Sequence, residues 1–489
     1  MKIEELLKKY ALLPQVGALA NTLGKKSVKT IFLEGLMCSS APMLFASLSL
    51  TLSKRKGKAS AAESPLFLEG ARGRLLLFIL QDADEAGYFY HDLTQLLGKE
   101  QVLFFPSSYR RAIKYAQRDS ANEILRTEVL ASMSPKLGDD RGLNKAPSAP
   151  QPPNLGGLYI VTYPEAIAEL VVSKKQLDDR SVVLSVGDTI DADQTAQQLR
   201  SLGFQEVDYV YEPGQFALRG SILDVYSYSS ELPFRIDLFG DDIDSIRTFE
   251  VETQLSKDKC QQVTIVPELT MVEEKMPFLS FVPKDTLLVV KDFLYVRDAI
   301  DRIYQEGFSE QALTERMEGA TEQEQHEIMQ QMRKESQLIS GQQFTRDAIE
   351  FRRIEIGHRP SGLPDATIEF HVSPQPQFHK NFDLLQQSLE QYLADGYQLC
   401  ILADSKKQLE RLRDIFSGEG SEVRGERIDF SPVEKTIHEG FADNDLRICV
   451  FTDHQIFDRY HKYSLTSDKA RSRKVALTLK EIQQFEVGD

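Results

Sequence analysis

Residues Lys29–Pro42 read KTIFLEGLMCSSAP. The apolar run Ile31–Leu33, closed by Gly35, has the length and composition of a buried strand. Leu44, Phe45, Leu48 and Leu52 then recur at helical spacing. Strand, glycine, helix is the place of a phosphate loop, GxxxxGK[ST], whose glycine-rich backbone amides cradle phosphates. Gly35 to Pro42 keeps the spacing without the chemistry. Ser40 stands at the second glycine, Ala41 at the lysine that neutralises phosphates, and Pro42 at the magnesium-binding hydroxyl, where it also lacks an N–H. Two readings fit: an ordinary strand-to-helix turn, or a phosphate-loop fold that has lost its nucleotide. Either implies no ATPase at this loop. The competing class, an NTP-dependent enzyme using the Gly35 loop, would need chemistry those three positions do not offer.

Outward from this stretch, Leu75–Leu80, Val102–Phe105 and Leu158–Thr162 read as further buried strands, with helices after Asp82 and Pro164. Alternation of this kind predicts a largely parallel α/β sheet. Asp82 and Asp84 are more simply helix N-caps than half of a magnesium-binding Asp-Glu pair. Lys54–Lys58 (KRKGK) fits a solvated loop better than a nucleic-acid contact, and the Pro/Gly/Ser/Asn-rich Ser134–Gly157 a surface loop.

Between Ser173 and Glu252 the pattern changes to short strands: Val182–Val186, Val207–Tyr211, Phe216–Leu218, Ile222–Tyr226 and Phe234–Phe239. Turn residues separate them. Residues 173–255 hold 7 Lys/Arg and 16 Asp/Glu, a net charge of -9. An acidic α+β unit is a poor DNA reader and a plausible protein-docking module. Leu287–Lys291 returns to α/β character, and Glu310–Ser340 reads as a polar connecting helix. A last α/β unit follows: strands Thr367–Val372, Gln398–Ala403 and Arg447–Thr452, and helices capped by Asn381 and Ser405.

The whole-chain balance agrees. At 489 residues and a net charge of -16, the chain holds about three domains and lacks the basic footprint of a general nucleic-acid binder. A DNA-binding accessory role is therefore disfavoured. The four cysteines form no CxxC pair, the eight histidines no ligand set, and no nucleophile–base array is assembled, so neither a catalytic nor a metal site is expected. No apolar run reaches membrane-spanning length, and a soluble, cytoplasmic protein with no membrane partner is expected.

The stretch Tyr211–Ser256, YEPGQFALRGSILDVYSYSSELPFRIDLFGDDIDSIRTFEVETQLS, resembles the second domain shared by the excision-repair protein UvrB and the transcription-repair coupling factors (Mfd). Gly35-Leu36 with Ser40-Ala41 resembles the degenerate phosphate loop of the coupling-factor branch, since UvrB carries a lysine where this chain has Ala41. The chain also runs from Phe104-Phe105-Pro106 straight into RRAIKYAQRDSANEILRTEVL, without the aromatic hairpin by which UvrB grips DNA. LTLKEIQQFEVGD resembles the start of the family's RNA-polymerase-interacting domain.

The resemblance implies a non-catalytic module that recruits UvrA to stalled transcription complexes for nucleotide excision repair. It implies no cofactor in this portion, with ATP and Mg belonging to motor domains outside it. RNA polymerase and duplex DNA would be engaged only through such further domains. Of the family's UvrA-binding arginines only Arg219 has a counterpart here, with pairing to Asp224 or Glu212 as its structural alternative. Gln205 and Ala217 stand where relatives carry arginines, Asp224 is expected to order the hairpin, and Phe216 and Tyr226 are either adjoining contacts or core. The expected layout is a helicase-like parallel-sheet domain (1–172), an inserted UvrA-binding-type α+β domain (173–255), the remainder of the first domain and a linker helix (256–345), a separate small α/β domain (346–465) and a linker (466–489).

Overall fold

The computed structural model describes residues 1–56, 74–109, 119–134, 157–269, 274–308, 338–379, 381–417, 428–460 and 463. Seven strands make the first sheet, in the spatial order Ala366–Glu369, Thr30–Glu34, Arg352–Ile356, Leu287–Lys291, Arg74–Ile79, Gly157–Thr162 and Val102–Phe104. Every neighbouring pair is parallel. Strands covered on both faces must be apolar throughout, which is why LLVVK, VLF and RLLLFI show near-continuous burial rather than alternation. Helices α1 (Ile3–Tyr10), α2 (Pro14–Leu23) and α4 (Ala83–Leu97) pack against α3 (Ser40–Lys56), which follows the Gly35 loop. Asp82 caps α4, its carboxylate accepting from the Glu85 amide at 2.9 Å. Glu85 in turn accepts from the Gln81 amide and pairs with Lys291, so this acidic stretch is occupied by protein partners.

Between the fourth and fifth of these strands in sequence lies a six-stranded sheet, ordered Ser256–Cys260, Asp242–Phe249, Phe234–Phe239, Ile222–Val225, Gln215–Arg219 and Gln205–Glu206. It is antiparallel except at the last pair. Alternate residues of Phe234–Phe239 are buried and partly exposed, as one covered face requires. The buried face meets the helix Ala192–Ser201 and the two-stranded ladder Val182–Ser185 with Gln262–Ile265.

The third sheet runs Val372–Pro374, Phe441–Asp443, Ile448–Thr452, Gln398–Leu402 and Ser431–Val433. Its unit is not separate from the first: Cys400, Leu402, Val433, Phe441 and Val450 share one apolar cluster with the first sheet's helices. Tyr10 of α1 packs edge-on to Phe441 at 6.1 Å, and the Met1 ammonium donates to the Pro432 carbonyl at 2.8 Å.

Several expectations are corrected by topology. The small domain does not end at 255, because Ser256–Cys260 and Gln262–Ile265 complete its ladders. The first domain does not end at 345, because Arg352–Ile356 and Ala366–Glu369 flank Thr30–Glu34 in the first sheet. The expected strand 367–372 is two strands in two sheets, broken at Phe370 and His371. Val207–Tyr211 is not a strand; the edge is formed by Gln205–Glu206, and the Asp208 carbonyl is taken by a side chain instead. Lys54–Lys56 continue α3 rather than starting a loop. The expected loop 135–156, most of the connecting helix (309–337), 110–118 and 477–489 lie outside the described residues.

Candidate functional site

Two places concentrate the sequence's chemistry. The first is the turn after Thr30–Glu34. Gly35 has φ +81°, and a Cβ there would lie 2.0 Å from the Phe370 carbonyl oxygen, so only glycine fits. Ser40 is fully buried and closes the turn on itself: its hydroxyl donates to the Met37 carbonyl (2.6 Å) and accepts from the Met37 amide (3.1 Å). Ala41, half-buried, packs against the apolar core and offers no charge to a phosphate. The third unit lies over this loop. The Ser39 amide donates to the Glu439 carbonyl (3.2 Å), and the Glu439 amide donates back to Ser39 Oγ (2.9 Å). The His438 amide donates to Asp92 Oδ1 of α4 at 2.7 Å, and the His438 ring stacks on Tyr88 at 3.4 Å. Burial pushes the Asp92 carboxyl up to about 7, against hydrogen bonds from Ser39 and His438 that favour its charged form. Burial, with Glu439 beside it, pushes the Cys38 thiol up to about 12.

The second place is the outer face of the six-stranded sheet. Strand alternation sends Phe216 inward and Ala217 and Arg219 outward. Asp224 lies opposite both Ala217 and Arg235 in the ladder, and its side chain is 0% exposed. Arg235 grips this carboxylate through Nε (2.8 Å) and Nη2 (2.9 Å), and Arg219 Nη2 also donates to it. Arg219 Nη1 donates to the Asp208 carbonyl at 2.7 Å, and its guanidinium lies 4.7 Å from the exposed Tyr209 ring. The carboxylate holds the Arg235 guanidinium above its usual range. Arg247 faces Arg235 across the next strand pair and is held by Asp237. Two guanidiniums directly opposite would repel; the interleaved Asp224 and Asp237 make the array stable. With side chains 33% and 35% exposed, Arg219 and Arg247 are the arginines this face offers to a partner, ahead of Arg235 at 17%.

Of the two alternatives for the aromatics, core is the one realised: Phe216 is fully buried in the domain core. Tyr226 is buried with Val210, Ala217 and Phe249, its hydroxyl donating to the Glu231 carbonyl at 2.6 Å. Neither can present a contact surface in this structure. Gln205 is exposed on the edge strand, bonded through its amide to Gly214. Arg219 pairs with Asp224, not Glu212, and Asp224 orders the hairpin as anticipated. Arg235 and Arg247 were not among the expected contacts; the signal for them is the hairpin register that sets them opposite each other on one face. Among the described residues no cluster of His, Cys, Asp or Glu is arranged to hold a metal, and no helix is long and apolar enough to cross a membrane.

A large parallel-sheet α/β unit carrying an inserted, arginine-faced antiparallel domain is the architecture, and the insert defines the class: residues 182–270 match the UvrB interaction domain. Over 85% of its length the chain is also similar to transcription-repair-coupling factors. It is 24% identical over 475 residues to the transcription-repair-coupling factor of Staphylococcus aureus (strain bovine RF122 / ET3-1), 23% to that of strain USA300, and 22% over 474 residues to that of Staphylococcus haemolyticus. In each case 85% of this chain aligns with 38% of the relative. The chain therefore spans well under half the length of the curated relatives it matches.

Proposed function

We propose that this chain is a non-catalytic docking module of transcription-coupled nucleotide excision repair, and that it recruits UvrA through the outer face of its inserted domain. The observation that carries the reading is the match of residues 182–270 to the UvrB interaction domain, on which the side chains of Arg219 and Arg247 are each about one-third exposed. A guanidinium already oriented by a carboxylate loses little freedom on binding and can present its remaining donors to a partner carboxylate in a forked geometry. The first unit supports the insert and performs no nucleotide chemistry: the three phosphate-loop positions are replaced and the loop's Ser39 amide is already taken. In this reading, ATP-driven work and the contacts to RNA polymerase and duplex DNA belong to other parts of a longer protein.

The test is calorimetric titration of UvrA into the chain. Arg219→Ala and Arg247→Ala should each weaken binding by roughly 10- to 30-fold, as expected for an interfacial arginine contributing about 2 kcal/mol. Gln205→Ala should have a smaller effect. Absence of binding by the unaltered chain would remove the reading. Binding unchanged in both arginine variants would move the site elsewhere on the domain.

A further inference from the structure

We propose that the third unit is the resident occupant of the vestigial phosphate loop, so that a former ligand site now serves as an intramolecular clasp. Backbone amides at the head of a helix carry partial positive charge and seek oxygen acceptors. Here the 17-residue helix α3 begins at Ser40, and the loop amide just before it, that of Ser39, is met by the Glu439 carbonyl. The return bond from the Glu439 amide to Ser39 Oγ and the bond from the His438 amide to Asp92 make the contact reciprocal across two elements of the first unit. The Glu439 carboxylate stands beside the Cys38 thiol of the same loop.

The clasp is held from behind as well. The His438 carbonyl accepts from His454 Nε2 at 2.8 Å, and the Gly440 amide donates to Gln455 Oε1 at 2.6 Å. A Cβ on Gly440 would lie 2.0 Å from Gln375 Oε1 and 2.9 Å from the Val450 carbonyl oxygen, so the segment can pass only as glycine. A segment pinned on both sides keeps its place without paying ordering entropy again at each encounter. This gives the third sheet a role its own residues do not advertise: it fills and rigidifies the site that a nucleotide fills in working members of the fold class. The inference stands on this interface alone and is independent of UvrA docking.

Hydrogen exchange on the unaltered full chain is the primary test. The Ser39, His438 and Glu439 amides should exchange at least about 100-fold more slowly than an unstructured reference. Ser39→Ala should accelerate His438 and Glu439 by up to about tenfold, the scale of one lost hydrogen bond, while leaving the Gln215–Arg219 amides unchanged. The second test restores the loop residues with the triple variant Ser40→Gly, Ala41→Lys, Pro42→Ser. With the clasp in place it should show no saturable MgATP binding up to about 1 mM. Unstructured-rate exchange at residues 438–439 in the unaltered chain would overturn the proposal. So would an unmoved Ser39→Ala pattern, or submillimolar MgATP binding by the restored loop. Should the triple variant misfold, the exchange measurements alone decide.

Discussion

Asp224→Ala is the most discriminating perturbation of the inserted domain. The carboxylate is wholly shielded from water and receives donors from two arginines, three charge-assisted bonds in all. Its removal leaves Arg235, itself largely covered, without its ion-pair partner, with only the Gln254 carbonyl and the already engaged Asp237 to offset its charge. Breaking a buried pair from one side costs about 3–5 kcal/mol, because the orphaned ion keeps its desolvation penalty. Arg219→Ala differs: Asp224 still holds Arg235 through two bonds, and the lost guanidinium is one-third exposed and partly screened. Its cost should be about 1 kcal/mol. Because several units share one chain, a single global unfolding energy is poorly defined. Site-resolved hydrogen exchange of the full chain reads the local opening instead. Amides of Gln215–Arg219 and Ile222–Val225 should exchange more than about 100-fold faster in Asp224→Ala, but only about fivefold faster in Arg219→Ala. Equal effects in the two variants, or less than a tenfold change in Asp224→Ala, would refute the view that a buried carboxylate organises the arginine face.

Two further outcomes are expected. Gly35→Ala combines a left-handed backbone with a carbonyl oxygen 2.0 Å from the new methyl. It should cost roughly 3 kcal/mol and lower the first unit's unfolding midpoint by roughly 6–12 °C; an unchanged midpoint would show that the turn can relax. The Asp92 carboxyl, raised by burial to about 7, keeps its proton between about pH 4 and 7 while an unfolded chain has lost it. Stability from this group is therefore fully present below about pH 4 and declines as pH rises through 7. After correction for intrinsic rates, His438 and Glu439 should be better protected at about pH 6 than at about pH 8. Asp92→Asn should flatten that dependence, and a trend of opposite sign would contradict it.

Much of the architecture was legible because it is local. Leu287–Lys291 announces a strand covered on both faces, and Asp82 and Asn381 announce helix starts that their side chains do cap. Asp224 was expected to order the hairpin through the family resemblance, and its ladder neighbours Ala217 and Arg235 do lie within a dozen residues. Phe216 and Tyr226 were ambiguous for the same local reason: an aromatic residue on a strand of a half-covered sheet belongs to whichever face is covered, and that depends on Ala192–Ser201 and on Phe249.

By itself, then, the sequence determined the parallel α/β frame, the acidic insert with its recognisable hairpin, and the replacement of three phosphate-loop residues. These follow from apolar periodicity and from the identity of residues at short spacing. Only the tertiary structure decided that Ala366–Glu369 joins the first sheet while Val372–Pro374, a few residues on, joins the third. It alone aligned Arg219, Arg235 and Arg247 on one face, through the register of four strands. And it alone set Glu439 on Ser39, 400 residues away in the chain. Such pairings depend on which surfaces remain uncovered after each unit has formed its own core, and no local pattern of side chains encodes that.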